Sequence, residues 1–347
     1  MQPFLLYYME ENDIYKGQKI MYYEEYQPRR RRPRRRRGGC LNAIGRQRVK
    51  LLAAALAVAV LLAGVLYLLP TALFMVEPDA DLSLTDGLPS KPFNVLLLGV
   101  DAISSGSQRS DTMIIASIDG GSLKLTSIQR DMVANIPGHG KTKINAAYAY
   151  GGPELAMRTV NEALDMNIMR YVVVDFTVLV KMVDALGGID MDITEAEMEH
   201  INRNGWLSRK VFVPQGYKAT QLTKYGEDVH LNGLRALAYA RIRKLDSDFV
   251  RTSRQRAVIE AMLDKLKSRL WNPVTVIRFL SAALSGVETN LSTIELLSLG
   301  EKALFSGGME QLRLPLDGTF KDNGSTISIT NRSKNIEALR QFIYGEE

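Results

Sequence analysis

The sequence is poor in the residues on which soft-metal and nucleophile chemistry depends. One cysteine, Cys40, stands in 347 residues. This excludes an internal disulfide and any Cys-rich zinc or iron–sulfur site. A chain that manages without disulfides fits the cytosol or a bacterial exterior. The three histidines, His139, His200 and His230, are not paired at metal-ligand spacing, and no HExxH occurs. No GxSxG marks a serine nucleophile. Gly140-Lys141-Thr142 has the end of a phosphate-binding loop, but that pattern needs glycine where Asn135 stands.

The body also lacks a basic surplus. The formal charge of +6 divides unevenly: through Lys50 there are 13 Lys and Arg against 5 Asp and Glu, whereas the remainder holds 31 against 33. The basic character belongs to the N-terminal tail, so no nucleic-acid partner is expected for the body. With 46% hydrophobic and 24% charged residues the chain can bury a sizeable core.

Residues 1–48 read as a disordered basic tail, with two runs of four arginines around Pro33. Residues 49–69 read as one transmembrane helix. Leu51 to Leu69 is 19 residues without a charge, the length of a bilayer core of about 30 Å. The preceding arginines fix the tail in the cytoplasm, where it can meet anionic lipid. This makes a single-pass protein of the bacterial cell membrane with its folded domain outside. Cleavage as a signal peptide is the competing reading. Residues 70–92 form a short linker, and residues 93–347 one folded domain.

Within the body, FNVLLLGVD, SDTMIIASID and SLKLTSIQRD are buried-strand signals, the last two joined at Gly120-Gly121 as a hairpin. Pro153 begins a helix after Gly151-Gly152, RYVVVDF is a further strand, and Thr177–Leu186 is a helix stopped by Gly187-Gly188. IDMDI alternates as a strand, and Glu195–Thr223 is polar and irregular with VFVP as its one strand. Leu231–Ala240 is a helix. A longer one, capped by Ser247 or Asp248, runs to Leu270 with an apolar stripe from Val258 that faces the sheet. Helices at Pro273–Leu284 and Ile294–Phe305, strands QLRLPL and TISI, and a last helix Asn335–Tyr344 complete the chain. The fold class is α/β: one layered domain with a central mixed β-sheet flanked by helices, preceded by one transmembrane helix.

Charged residues collect at strand ends. Asp101 ends the first strand, where open α/β sheets place ligands. Arg109 and Asp111 precede the second strand, and Arg130 and Asp131 end the third. Carboxylates so placed can hold Mg²⁺ (or Mn²⁺) together with substrate phosphate oxygens. Arg241 and Arg243, two apart, share a face in extended backbone. Asp248, Arg251 and Gln255 stack on one side of a helix. Forked guanidiniums from two elements suit a pyrophosphate. The competing reading is a solvated basic face held by weak surface ion pairs; Arg235, Arg254 and Arg256 stay with it.

Seven motifs in order resemble the LytR-CpsA-Psr (LCP) family: RSDT (Arg109–Thr112), SIQRD (Ser127–Asp131), KINAAY (Lys143–Tyr148), YVVVDF (Tyr171–Phe176), GGIDMDI (Gly187–Ile193), LNGLRALAYARIR (Leu231–Arg243) and DFVRTSRQ (Asp248–Gln255). The resemblance covers Phe93 to Leu270. Gln129 departs from it, since the family more often has proline there. The resemblance implies an enzyme that transfers a glycopolymer, as sugar phosphate, from an undecaprenyl-pyrophosphate carrier to peptidoglycan, at the 6-hydroxyl of N-acetylmuramic acid. It implies Asp101 and Asp111 as Mg²⁺ ligands. Arg109, Arg130, Arg241, Arg243 and Arg251 would hold the pyrophosphate, with Gln255 beside them and Asp248 orienting the arginines. Arg130, Arg241 and Arg243 then act in the transfer itself, and Asp131 is a candidate general base. The alternatives are a membrane-anchored polyprenyl-phosphate-binding regulator and a lipid-pyrophosphate phosphatase.

Overall fold

A computed structural model describes residues 81–101, 109–119, 121–203, 221–242, 245 and 248–345. The arginine tail, Cys40, the apolar run Leu51–Leu69, the VFVP stretch and Arg243 lie outside the described residues. Among those described, no helix is long and apolar enough to cross a membrane.

In chain order the strands are β1 (Phe93–Val100), β2 (Ser110–Ile118), β3 (Leu123–Ile128), β4 (Val133–Ile136), β5 (Gly140–Lys143), β6 (Arg170–Asp175), β7 (Ile189–Ile193), β8 (Gly226–Leu231), β9 (Val287–Thr289), β10 (Met309–Leu314), β11 (Phe320–Asp322) and β12 (Ile327–Ile329). The helices are α1 (Ala146–Leu164), α2 (Phe176–Ala185), α3 (Glu195–Arg203), α4 (Gly233–Ala240), α5 (Asp248–Arg269), α6 (Pro273–Leu284), α7 (Thr293–Phe305) and α8 (Arg332–Tyr344).

The central sheet has the order β10-β3-β2-β1-β6-β9. It is mixed: β1 runs antiparallel to β2 and parallel to β6, and β10 is parallel to β3. The β2–β3 hairpin is present, and Asp119 accepts the amides of Gly121 (2.7 Å) and Ser122 (3.2 Å) at its turn. Those two amides hold the Asp119 carboxyl below its ordinary range.

Alternation along β1 sends Leu96, Leu98 and Val100 to one face, where α1 and α8 cover them, and Val95 to the other, under α5 and α7. Burying each such side chain contributes about 1.5–3 kcal/mol. A separate apolar core joins α2, α4, β7 and β8. The α5 stripe therefore divides. Val258, Met262 and Leu266 face that separate core, Ile259 and Leu263 face the sheet, and Leu270 is exposed.

Three expectations change. The packed body starts before β1, since Leu82 is in the core and the Thr85 amide donates to Met166 O. Glu195–Arg203 is a helix rather than irregular chain; its only fully buried residue is Ile201, so its pattern is faint. The stretch before α4 is a strand, β8, and the helix starts at Gly233, where the Asn232 side chain accepts the Arg235 amide.

At α7, Ser292 and Glu295 form a capping box. Burial alone would raise the Glu295 carboxyl, but the Ser292 amide and hydroxyl and Arg170 outweigh it and lower it. A depressed folded pKa means stability that is full above the unfolded value of about 4.3 and is lost as pH falls through the folded one. We expect the urea midpoint to drop between about pH 5 and pH 3, and Glu295→Gln to make that drop shallower.

Candidate active site

The C-terminal ends of β1, β3 and β6 lie at one edge of the sheet, together with the N-terminal end of α5. Val100 pairs with Ser110 and Gly99 with Thr112, so Asp111 is the extra residue of a bulge in β2. Bulges re-aim side chains, and here Asp111 stands at the end of β1, beside Asp101.

Each carboxylate meets an arginine. Arg130 Nη1 donates to Asp111 Oδ1 at 2.7 Å. Arg241 Nη2 donates to Asp101 Oδ2 at 3.2 Å, and its guanidinium lies over the Phe176 ring at 4.3 Å. Arg251 reaches the same place from α5: it is 1% exposed, and its Nη2 donates to Asp111 O at 3.4 Å. Thus β3, the end of α4 and α5 bring three guanidiniums to two strand ends. Arg109 stands exposed immediately before β2.

Asp131 is engaged on both oxygens, by Lys143 Nζ at 2.8 Å and by Arg130 Nε at 3.5 Å. A carboxylate held between Lys143 and Arg130 positions both cations. Asp175 caps α2 by accepting the Val178 amide at 2.7 Å. Arg241 caps the C-terminus of α4 with φ −103° and ψ 4°. The expected extended pairing of Arg241 with Arg243 therefore does not begin in extended chain. The Asp248 side chain is outside the described residues, and Asp248 opens α5.

Two arginines assigned to solvent are buried. Arg254, 5% exposed, donates from Nε to Glu197 Oε1 at 2.8 Å. Arg256, 6% exposed, is held by neutral oxygens: Gln311 Oε1 and Ser127 Oγ, both at 2.6 Å, and Ser253 Oγ at 3.1 Å. Burial, with Arg313 nearby, lowers the Arg256 pKa to about 10, so it stays charged at neutral pH. Arg235 is half-buried and donates to Gln221 O. We expect Glu197→Ala to cost about 3 kcal/mol in urea unfolding, because it takes the carboxylate away from a buried guanidinium.

Gln129 and Gln255 also stand out. Gln129 is fully buried, and neither amide atom has a hydrogen-bond partner among the described residues. It follows β3 two residues after Ser127, whose hydroxyl accepts from Arg256 of α5. The Gln255 Oε1 is likewise buried and without such a partner.

The donor chemistry at Asp101 and Asp111 fits a hard cation. Among the described residues no group of three or more His, Cys, Asp or Glu is placed to hold a metal. Two carboxylates suffice for Mg²⁺ when phosphate oxygens and water complete the shell.

A family model, LytR_cpsA_psr, matches residues 76–341. The chain belongs to the LytR-CpsA-Psr family. It is 31% identical over 269 residues to the polyisoprenyl-teichoic acid–peptidoglycan teichoic acid transferase TagV of Bacillus subtilis (strain 168), covering 74% of this chain and 65% of TagV. It is 33% identical to the regulatory protein MsrR of Staphylococcus aureus (strain COL), covering 72% of this chain and 74% of MsrR. Among solved structures, TagT bound to LI-WTA matches with TM-score 0.58 and 27% identity, over 78% of this chain and 95% of that one. TagT with bound octaprenyl pyrophosphate lipid matches with TM-score 0.55 and 25% identity over the same shares. The LCP fold, a mixed sheet between helical layers, is common to them.

Proposed function

We propose that this protein transfers a glycopolymer, as its sugar phosphate, from a polyprenyl-pyrophosphate carrier to a peptidoglycan hydroxyl, that of carbon 6 of N-acetylmuramic acid. The observation that carries this reading is the convergence of Arg130, Arg241 and Arg251 on Asp101 and Asp111. A pyrophosphate is the ligand whose charge and spacing answer such a set. Relatives named for teichoic acid transfer, and a related structure titled for a bound polyprenyl pyrophosphate, support the same donor class.

The acceptor hydroxyl oxygen attacks the phosphorus next to the sugar, and the bond from that phosphorus to the bridging oxygen breaks. Polyprenyl phosphate leaves with the electron pair and takes up the proton that the hydroxyl gives up. Phosphoryl transfer passes through a loose transition state whose charge is spread over oxygens, so catalysis is positioning and charge neutralisation. Arg130 and Arg241 hold that charge, Arg251 and Arg109 bind the pyrophosphate, and Gln255 donates from its amide. Arg243 and Asp248 keep the roles that their motifs imply. Asp131 positions Arg130. Mg²⁺ or Mn²⁺ held by Asp101 and Asp111 would neutralise phosphate oxygens and stabilise the leaving group. The apolar run Leu51–Leu69 anchors the protein, with the catalytic domain outside the cell and the basic tail against anionic lipid inside.

The test is to incubate the full chain in vesicles with Mg²⁺, a lipid-linked polymer donor and peptidoglycan strands. A covalent conjugate that EDTA abolishes is expected. Free sugar phosphate or inorganic phosphate released without acceptor would favour the phosphatase. A second reading, regulation through the tail, is favoured by the relation to MsrR and by the arginine runs. Deleting Met1–Arg37 separates the two: polymer attachment survives if the protein is the transferase.

A further inference from the structure

Arg256 is a buried cation without an acid beside it. Its guanidinium donates to three neutral oxygens, Gln311 Oε1, Ser127 Oγ and Ser253 Oγ. Among the described residues no carboxylate stands within ion-pair distance of it. A guanidinium has five N–H groups, so one on each terminal nitrogen is left without a described partner. Three neutral hydrogen bonds are within the reach of an uncharged amide, whereas a buried charge carries a desolvation cost of its own. An anion that meets the charge offsets that cost.

A second guanidinium shares the place. Arg313, on β10, pairs in register with Ser127 of β3, and its charge is near enough to lower the Arg256 pKa. Its guanidinium lies over the Phe249 ring at 4.2 Å, and Phe320 packs on that ring at 5.3 Å. The acid that Arg313 meets is Asp317, at 2.6 Å, which is 84% exposed. An ion pair so exposed is weak and readily exchanged for another anion. The Arg313 side chain is 23% exposed, so a ligand reaches it from solvent. Two adjacent guanidiniums, one buried without an acid and one held by a solvated acid, suit an anion. The place lies beside the strand-end site. From Ser127 to Arg130 is roughly 10 Å of extended chain, and from Arg251 to Arg256 about 7.5 Å of helix.

We propose that Arg256 and Arg313 form a second phosphate subsite, which takes a phosphodiester of the polymer being transferred. The polymer as source rests on the transferase reading; the anion subsite itself does not. One or two sugar units bridge the distance to Arg130. A donor whose polymer carries phosphate is then held at two points. Arg130, Arg241 and Arg251 hold its pyrophosphate, and Arg313 with Arg256 holds its first internal phosphate. A neutral polymer finds only the first hold. Arg313 thus selects among donors and takes no part in the bond exchange.

The full chain in detergent micelles is titrated with a short glycerol-phosphate oligomer, which carries phosphodiesters and no pyrophosphate, and separately with inorganic phosphate. The oligomer should bind, and Arg313→Gln should weaken that binding about tenfold, the loss of one charge-assisted hydrogen bond. Asp317→Asn should tighten it by about two- to fivefold, because the acid competing for Arg313 is gone. A merely structural ion pair would give no such gain, and the exposed Asp317 keeps the test readable if Arg313→Gln loses stability. Binding unchanged in both variants overturns the proposal. Inorganic phosphate bound as tightly as the oligomer overturns the polymer as occupant and leaves an adventitious ion only. With lipid-linked donors, Arg313→Gln should raise KM about tenfold for a phosphate-bearing polymer. It should leave kcat, and the KM of a neutral polymer, unchanged. Equal effects on both donors count against the subsite. If the parent protein transfers neither donor, the transferase reading fails while the oligomer titration still decides the subsite.

Discussion

Arg130→Ala is expected to lower the transfer rate by about a hundredfold to a thousandfold, a loss of roughly 3–4 kcal/mol of transition-state stabilisation. The size follows from what this side chain joins. Its Nη1 meets Asp111 at 2.7 Å and its Nε faces Asp131 at 3.5 Å, with the side chain only 16% exposed. Removing it takes a forked cation from the phosphate site and one cationic partner from each of two neighbouring carboxylates, which makes the local field less favourable to an anionic donor. Arg130→Lys should recover little, because one ammonium cannot serve both carboxylates and a phosphate in plane. The thermal midpoint of both variants should change far less than the rate, which separates a site defect from misfolding. Arg130→Ala with at least half of the parent rate would remove Arg130 from the site.

The largest expected effect on stability lies away from the charges. Gly233 opens α4, and a Cβ there would stand 2.3 Å from Val180 O and 2.8 Å from the Val180 carbonyl carbon and Cα. The obstruction is backbone inside α2, so no side chain can swing aside. The Gly233 amide also donates to Asp184 Oδ1 at 2.9 Å, and burial pushes the Asp184 carboxyl up. Gly233→Ala must part α2 from α4 or break that bond. We expect a loss of about 3 kcal/mol, at the upper end for overpacking, read from urea unfolding. Because α4 ends in Arg241, surviving folded protein should also transfer more slowly. A midpoint equal to the parent's would show that the two helices can separate freely.

The strands and helices with strong period were legible. β1, β2, β3, β6 and α2 lie where alternation, apolar runs and glycine stops put them, and α6 has the bounds its proline and leucine suggested. What escaped had few buried residues to announce it. α3 buries only Ile201, and β8 buries only Val229 and Leu231. The hairpin of β4 and β5 is two four-residue strands.

At the site, the residue types and their strand-end places were readable, whereas the partnerships were not. That Asp131 is taken by Lys143, or that Arg241 lies on Phe176, depends on contacts across elements. The assignment of Arg254 and Arg256 to solvent failed for the same reason. Their partners Glu197 and Gln311 are more than fifty residues away in the chain, and no local spacing reports them. Gln129 looked incidental in sequence; only its complete burial beside Ser127 makes its amide notable.

The claim that three arginines read a pyrophosphate is tested most directly by a crystal structure of the protein with a polyprenyl pyrophosphate. Phosphate oxygens within about 3 Å of the guanidinium nitrogens of Arg130, Arg241 and Arg251 are predicted. A pyrophosphate bound elsewhere, with Arg130 and Arg241 still closed on Asp111 and Asp101, would contradict it.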